Sequence, residues 1–102
     1  MSTRNCNVAA WHSVIGDLSS LDSERRKELI EKAEAASLAD KPHNAKGVKQ
    51  LKHHDFLAIR IGKQRALCDK HLGRIRILVL AHREDAYKPE TIQLAKLRGM
   101  QE

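Results

Sequence analysis

The apolar residues of this chain change their spacing halfway along. Before Pro42 they recur every three or four positions, the repeat of a helix buried on one side; from Phe56 to Leu80 they alternate, the repeat of a strand. A first half that must bury helical stripes and a second half that must bury one face of a sheet meet in helices laid on a sheet, an α+β fold. The 102 residues suffice for one domain with a modest core and not for two domains. We therefore expect a single domain over residues 1–102: an N-terminal helical hairpin on one face of a small, mainly antiparallel sheet, closed by a short C-terminal helix.

In the first half, Val8, Trp11, Ile15 and Leu18 share one helical face, and Gly16 marks close packing against a neighbour. Ser19 to Ser23 is a break in which Asp22 or Ser20 can cap the next helix. That helix carries Leu29, Ile30, Ala33 and Ala36 inward, with Glu24, Arg25, Lys27, Glu28, Glu31 and Lys32 outward. Glu28 and Lys32 form an (i, i+4) pair. Residues 40–54 read as a polar connector with four lysines, Lys41, Lys46, Lys49 and Lys52, and no folded element is expected in it.

In the second half, Phe56 to Ile61 reads as a strand, Gly62-Lys63 as a two-residue turn and Gln64 to Asp69 as the returning strand. This register sets Arg60 opposite Arg65 on one face and Leu57, Ile59, Ile61, Ala66 and Cys68 on the other, the core face. After a turn near Gly73, Arg74 to Leu80 is the clearest strand in the chain. Its alternation points Ile75, Ile77 and Val79 to the core, and Arg74, Arg76, Leu78, Leu80 and then His82 to the open face. Pro89 opens a last helix, Glu90 to Arg98, with Gly99 just past its end.

In such a meander Arg60, Arg65, His82 and Arg83 converge at one end of the uncovered face, with Tyr87 close behind. Cations directly opposite on a sheet repel, a cost unless an anion sits between them. A single exposed arginine reads as solvated; the cluster with a histidine and a tyrosine reads as a phosphate site. Tyr87 serves either as a cap over the sheet end or in the site.

The formal charge of +6 and sequence pI of about 9.6 favour a polyanionic partner. The longest apolar run, Ile77 to Ala81, is far short of the ~20 residues that span a bilayer, so no membrane role is expected. The N-terminus carries no apolar signal region, which makes a cytoplasmic location the expectation. Cys6 and Cys68 have no metal or redox spacing; Cys68 reads as a small buried apolar residue. Adjacent His53 and His54 point opposite ways on an extended chain, so no metal site is expected.

Taken in order, Leu51-Lys52, Arg60-Ile61-Gly62-Lys63-Gln64-Arg65, the strand Ile75 to Leu80 and His82-Arg83-Glu84-Asp85-Ala86-Tyr87 resemble the RelE/ParE toxin superfamily, over roughly residues 8 to 88. The resemblance implies the toxin of a type II toxin–antitoxin pair with a RelE-like fold. RelE-like members cleave messenger RNA in the ribosomal decoding site. The substrate's own 2′-hydroxyl attacks, and neither metal nor cofactor is needed. By position, Arg60 and Arg65 would hold the scissile phosphate, Arg83 would add a third cation, and Tyr87 and His82 would serve proton transfer and base stacking. Lys46, Lys49, Lys52, Lys63 and Arg76 would be further RNA-binding cations. The implied partners are a cognate antitoxin, the ribosome with its mRNA, and operator DNA only through the antitoxin complex.

This chain departs from the family pattern twice. The family fold begins with a strand, for which only Asn5 to Val8 is available. The position two before Arg60, often lysine in RelE-like chains, is Ala58, and a lysine of the connector would have to replace it. The alternatives are a ParE-like inhibitor of DNA gyrase, which keeps the fold without cutting RNA, or a basic nucleic-acid-binding module.

Overall fold

The computed structural model describes residues 8–38, 47–51, 56–71 and 73–100. Among them are five strands and three helices, in the order β1 (Val8–Ala10), α1 (His12–Ser19), α2 (Ser23–Leu38), β2 (Val48–Gln50), β3 (Leu57–Ile61), β4 (Gln64–His71), β5 (Arg74–His82) and α3 (Pro89–Gly99). The strands form one mixed sheet ordered β1-β5-β4-β3-β2, with β1 parallel to β5 and every other pair antiparallel. The α+β class is as expected, and no described helix is long and apolar enough to cross a membrane.

Two short strands lie in stretches that the residue pattern reads otherwise; the first, β1, stands before the helices, where the resemblance implies a strand. Val8 is not helical: Val8–Ala10 pairs with Ile75–Ile77, and the Trp11 N–H extends the ladder to the Ile77 carbonyl at 2.9 Å. Helix α1 begins only at His12. The open edge of β5 offers backbone partners to this segment, and pairing there outweighs the helical spacing of Val8 with Trp11, Ile15 and Leu18. Ile15 is accordingly 58% exposed, and Val14 is the buried residue among the described side chains of α1. Strand β2 lies within the stretch read as connector; it is a short edge strand with Val48 buried and Lys49 and Gln50 exposed. So little apolar surface leaves almost no periodic signal.

The hairpin of α1 and α2 covers one face of the sheet. Val14, Leu29, Ala33 and Ala36 pack there on Leu57, Ile59, Ile61, Ala66, Cys68, Ile75 and Ile77. Each large, fully buried side chain in this set contributes about 1.5–3 kcal/mol. Ile30, expected on the inner side of α2, is largely exposed. Asp22 caps α2, its carboxylate accepting the Arg25 N–H at 2.8 Å. The opposite face is not bare: Leu51, Phe56, Ala58, Leu67, Leu78, Val79 and Ala95 form a second core beneath α3.

The β3–β4 register is the expected one, with Arg60 opposite Arg65. Gly62 starts the turn at φ 57, a left-handed conformation that suits glycine. Strand β5 departs from expectation halfway along. Cys68 faces Ile77 but Leu67 faces Val79, so Leu78 is an extra residue, a β-bulge. From there the alternation is reset by one position. Val79 belongs to the core under α3, and Leu80 packs against the hairpin core. His82 pairs with Gln64, on the hairpin side, while Ala81 shares the face of Arg65. Both the inward pointing of Val79 and the placement of His82 beside the arginines are therefore corrected. Every residue from Ile77 to Ala81 is apolar, so periodicity has no means of locating the bulge.

Candidate functional site

The arginine pair is held by its backbone. The Arg60 N–H points away from β4 and donates to the Gly47 carbonyl at 2.9 Å, which makes Arg60–Arg65 a non-hydrogen-bonded pair, the kind whose side chains approach most closely. From behind, Lys32 Nζ donates to the Arg60 carbonyl at 2.6 Å and to Glu28 at 2.8 Å. The lysine hydrogen bond, with Arg25 adding to it, holds the Glu28 carboxyl below its usual range. Gly47 has φ 79, a left-handed conformation that favours glycine, and a Cβ there would meet the flexible end of the Lys32 side chain at 2.9 Å and displace it. On β4, Arg65 Nη1 donates to the carbonyls of Gly62 at 3.0 Å and Gln64 at 2.9 Å, which anchors that guanidinium over the turn.

The bulge brings the next cation in. With Ala81 opposite Arg65, the Arg83 N–H donates to the Lys63 carbonyl at 2.8 Å, carrying the ladder one step past β5. A tight turn follows, in which the His82 carbonyl accepts the N–H groups of Asp85 and Ala86. Ala86 is fully buried beneath it, and an Asp85–Lys88 ion pair of 2.8 Å spans its surface and lowers the Asp85 pKa. Lys88 is extended, as a residue before proline must be, and Pro89 starts α3. Tyr87 is thereby held at the mouth of the sheet end, 42% exposed.

These pieces line one cleft of about 550 Å³, bounded by Gly47, Val48, Lys49, Ala58, Arg60, Arg65, Arg83 and Tyr87. Four of the described lining residues are cations and none is acidic. Lys49 stands opposite Ala58 in the β2–β3 ladder, so an ammonium group sits beside the position where the chain itself carries alanine. Tyr87 also borders a smaller hollow of about 290 Å³ with Pro89, Ile92, Gln93 and Lys96.

Of the expected site residues, Arg60, Arg65, Arg83, Tyr87 and Lys49 meet in the cleft. His82 does not line it; its ring faces Glu84, with Nδ1 accepting the Glu84 N–H at 3.3 Å. Lys63 occupies the exposed turn. Arg76 lies at the far end of the sheet, its fork closed on Asp69 with both side chains largely buried (16% and 17% exposed) and its Nη2 donating to the Gly99 carbonyl. Lys46, Lys52, Cys6, His53 and His54 lie outside the described residues. Gly47 and Lys32 were not anticipated; an isolated glycine before Val48 was the one available signal. Cys68 is fully buried, and burial pushes its thiol pKa well up. No cluster of three or more metal-ligating side chains occurs among the described residues.

The arrangement is suited to one kind of ligand. Several cations converge on open space at the end of a rigid sheet, where a phosphodiester can enter and leave, and an exposed phenol stands beside them. No protein-family model and no curated protein matches the chain.

Proposed function

We propose that this chain is the RelE-like toxin of a type II toxin–antitoxin pair, an endoribonuclease that cuts messenger RNA on the ribosome. The observation that carries the reading is the meeting of Arg60, Arg65, Arg83, Lys49 and Tyr87 around one cleft. Paired arginines opposed across a hairpin repel, and a phosphate between them turns that cost into binding.

In this reading Arg60 and Arg65 hold the scissile phosphate and Arg83 meets the charge that develops on its oxygens as the 2′-oxygen attacks phosphorus. The 2′-hydroxyl proton passes to water in the open cleft and the P–O5′ bond breaks, leaving a 2′,3′-cyclic phosphate on one fragment and a 5′-hydroxyl on the other. Tyr87 delivers the proton that the departing 5′-oxygen takes up, and its ring offers a stacking surface to a neighbouring base. Lys49 supplies the ammonium that RelE-like chains often carry at the position of Ala58. His82 has no part in this chemistry. The antitoxin, in turn, has the basic cleft to cover.

The reading is tested on messenger RNA bound in ribosomes with the purified chain. Cleavage should give cyclic phosphate and 5′-hydroxyl ends, and a 2′-deoxy nucleotide at the cut position should block it. Cutting that tolerates the 2′-deoxy nucleotide contradicts the mechanism. Growth arrest with intact RNA and inhibited gyrase would move the chain to the ParE-like alternative.

A further inference from the structure

A bulge leaves one strand with backbone groups that the ladder no longer uses. Here the extra residue is Leu78, its side chain fully buried under α3. Its carbonyl accepts Arg98 Nη1 at 2.7 Å. Arg98 belongs to the last turn of α3, and that helix end is fixed to the same two strands. The Gly99 carbonyl accepts Arg76 Nη2 at 2.8 Å, while Arg76 is forked on Asp69 of β4. A Cβ at position 99 would crowd Asp69 Oδ2 at 3.2 Å and Leu78 Cδ1 at 3.4 Å, so the helix end is seated as closely as glycine permits.

The bulge has a competitor. If it closed with Cys68 still opposite Ile77, Leu78 would face Leu67, Leu80 would face Arg65, and His82 would take the place of Arg83. Side-chain burial discriminates weakly between these registers. Residues 78–81 are Leu-Val-Leu-Ala, so either register offers apolar side chains to both cores: closing the bulge would send Leu80 to the core under α3 and Val79 and Ala81 to the hairpin core. The Arg98–Leu78 hydrogen bond is made to a carbonyl that the closed register would return to the ladder.

We propose that Arg98 is a positioning residue for the cleft: by holding the Leu78 carbonyl it keeps the bulge open, which places Arg83 in the cleft and His82 outside it. Helix α3 thus sets the composition of a site that Arg98 never touches. The proposal shares the cleft with the RNA reading above, but its register can be measured without any ligand.

The test compares the full chain with Arg98→Met, which keeps an apolar stem and removes the donor. Cross-strand contacts measured by NMR should pair Arg65 with Ala81 in the wild type and with Leu80 in a substantial fraction of the variant. Binding of a single-stranded RNA oligonucleotide over a range of salt gives the second readout. In the wild type, Arg83→Ala should reduce the slope of log affinity against log salt by about 0.7, the loss of one phosphate contact. In the Arg98→Met background the same substitution should reduce the slope by less, in proportion to the fraction that keeps Arg65 opposite Ala81. Deleting Leu78 supplies the control, since Leu67 then meets Val79 without a bulge and Arg98 has nothing left to hold. In that chain Arg98→Met should not move the register, and it should fold even if the single variant does not.

A single variant that keeps Arg65 opposite Ala81 overturns the proposal. So does a register change that is as large in the Leu78-deleted chain, or a failure of both Arg98→Met chains to fold. A wild type that ignores RNA while its register moves as stated removes the RNA reading and leaves this inference standing.

Discussion

Replacing Arg60 by threonine should make the protein more stable and less able to hold an anion. Arg60 faces Arg65 in a non-hydrogen-bonded pair, and its own N–H is committed to the Gly47 carbonyl, so the backbone does not depend on the side chain. At an illustrative separation of about 7 Å in water, two unit charges of like sign repel by about 0.6 kcal/mol. That value falls inside the ~0.2–1 kcal/mol range for cross-strand pairs. Threonine removes the repulsion and keeps a β-branched side chain suited to a strand. For a chain of this size the gain corresponds to a rise in Tm of about 2–5 °C. In 1 M salt the Debye length falls to about 3 Å, and the charge part of the gain should almost vanish. Thermal unfolding followed by circular dichroism at low and high sodium chloride reads both effects. Added phosphate should protect the wild type more than the variant. An Arg60→Thr chain that melts no higher at low salt, or whose advantage survives 1 M salt unchanged, would refute the opposed-cation argument.

Three further outcomes follow from other parts of the molecule. Asp69→Ala strands the largely buried Arg76 and should cost about 3 kcal/mol in urea unfolding, whereas Asp69→Leu with Arg76→Met should recover much of that loss. Glu28 has a folded pKa lowered from the ordinary 4.5 by Lys32 and then Arg25, so its contribution is present above pH 4.5 and lost as pH falls through the folded value. The stability difference between wild type and Glu28→Gln should therefore be widest near neutrality and shrink below pH 4.5. Cys68, fully buried with a raised pKa, should resist iodoacetamide at pH 8 until the protein unfolds, as peptide mass spectrometry would show.

Where the sequence was legible, a physical pattern was present to read. The alternation of Leu57 to Ile61 and Ala66 to Cys68 around Gly62 has only one register that buries its apolar face, and the Arg60–Arg65 pairing follows from it. Pro89 opens α3 for a reason internal to that segment, whereas Gly99, expected just past the end, is the last residue of the helix with Met100 as its C-cap. Illegible parts depend on distant partners. Val8–Ala10 becomes a strand because β5 has a free edge, and Val48–Gln50 because β3 has one. The bulge at Leu78 is held by an arginine 20 positions later, a relation that no local window contains. This is why the histidine expected in the site stands outside it while Arg83 and Tyr87 stand inside.

Primer extension on a translated message after brief induction reads whether this cleft cuts messenger RNA, as proposed. Wild-type chain should give cuts at discrete positions within codons, and Arg65→Ala, with the fold intact by circular dichroism, should give none. Message that stays intact with the wild type, or cuts that persist at the same positions with Arg65→Ala, would rule out messenger RNA cleavage by this cleft.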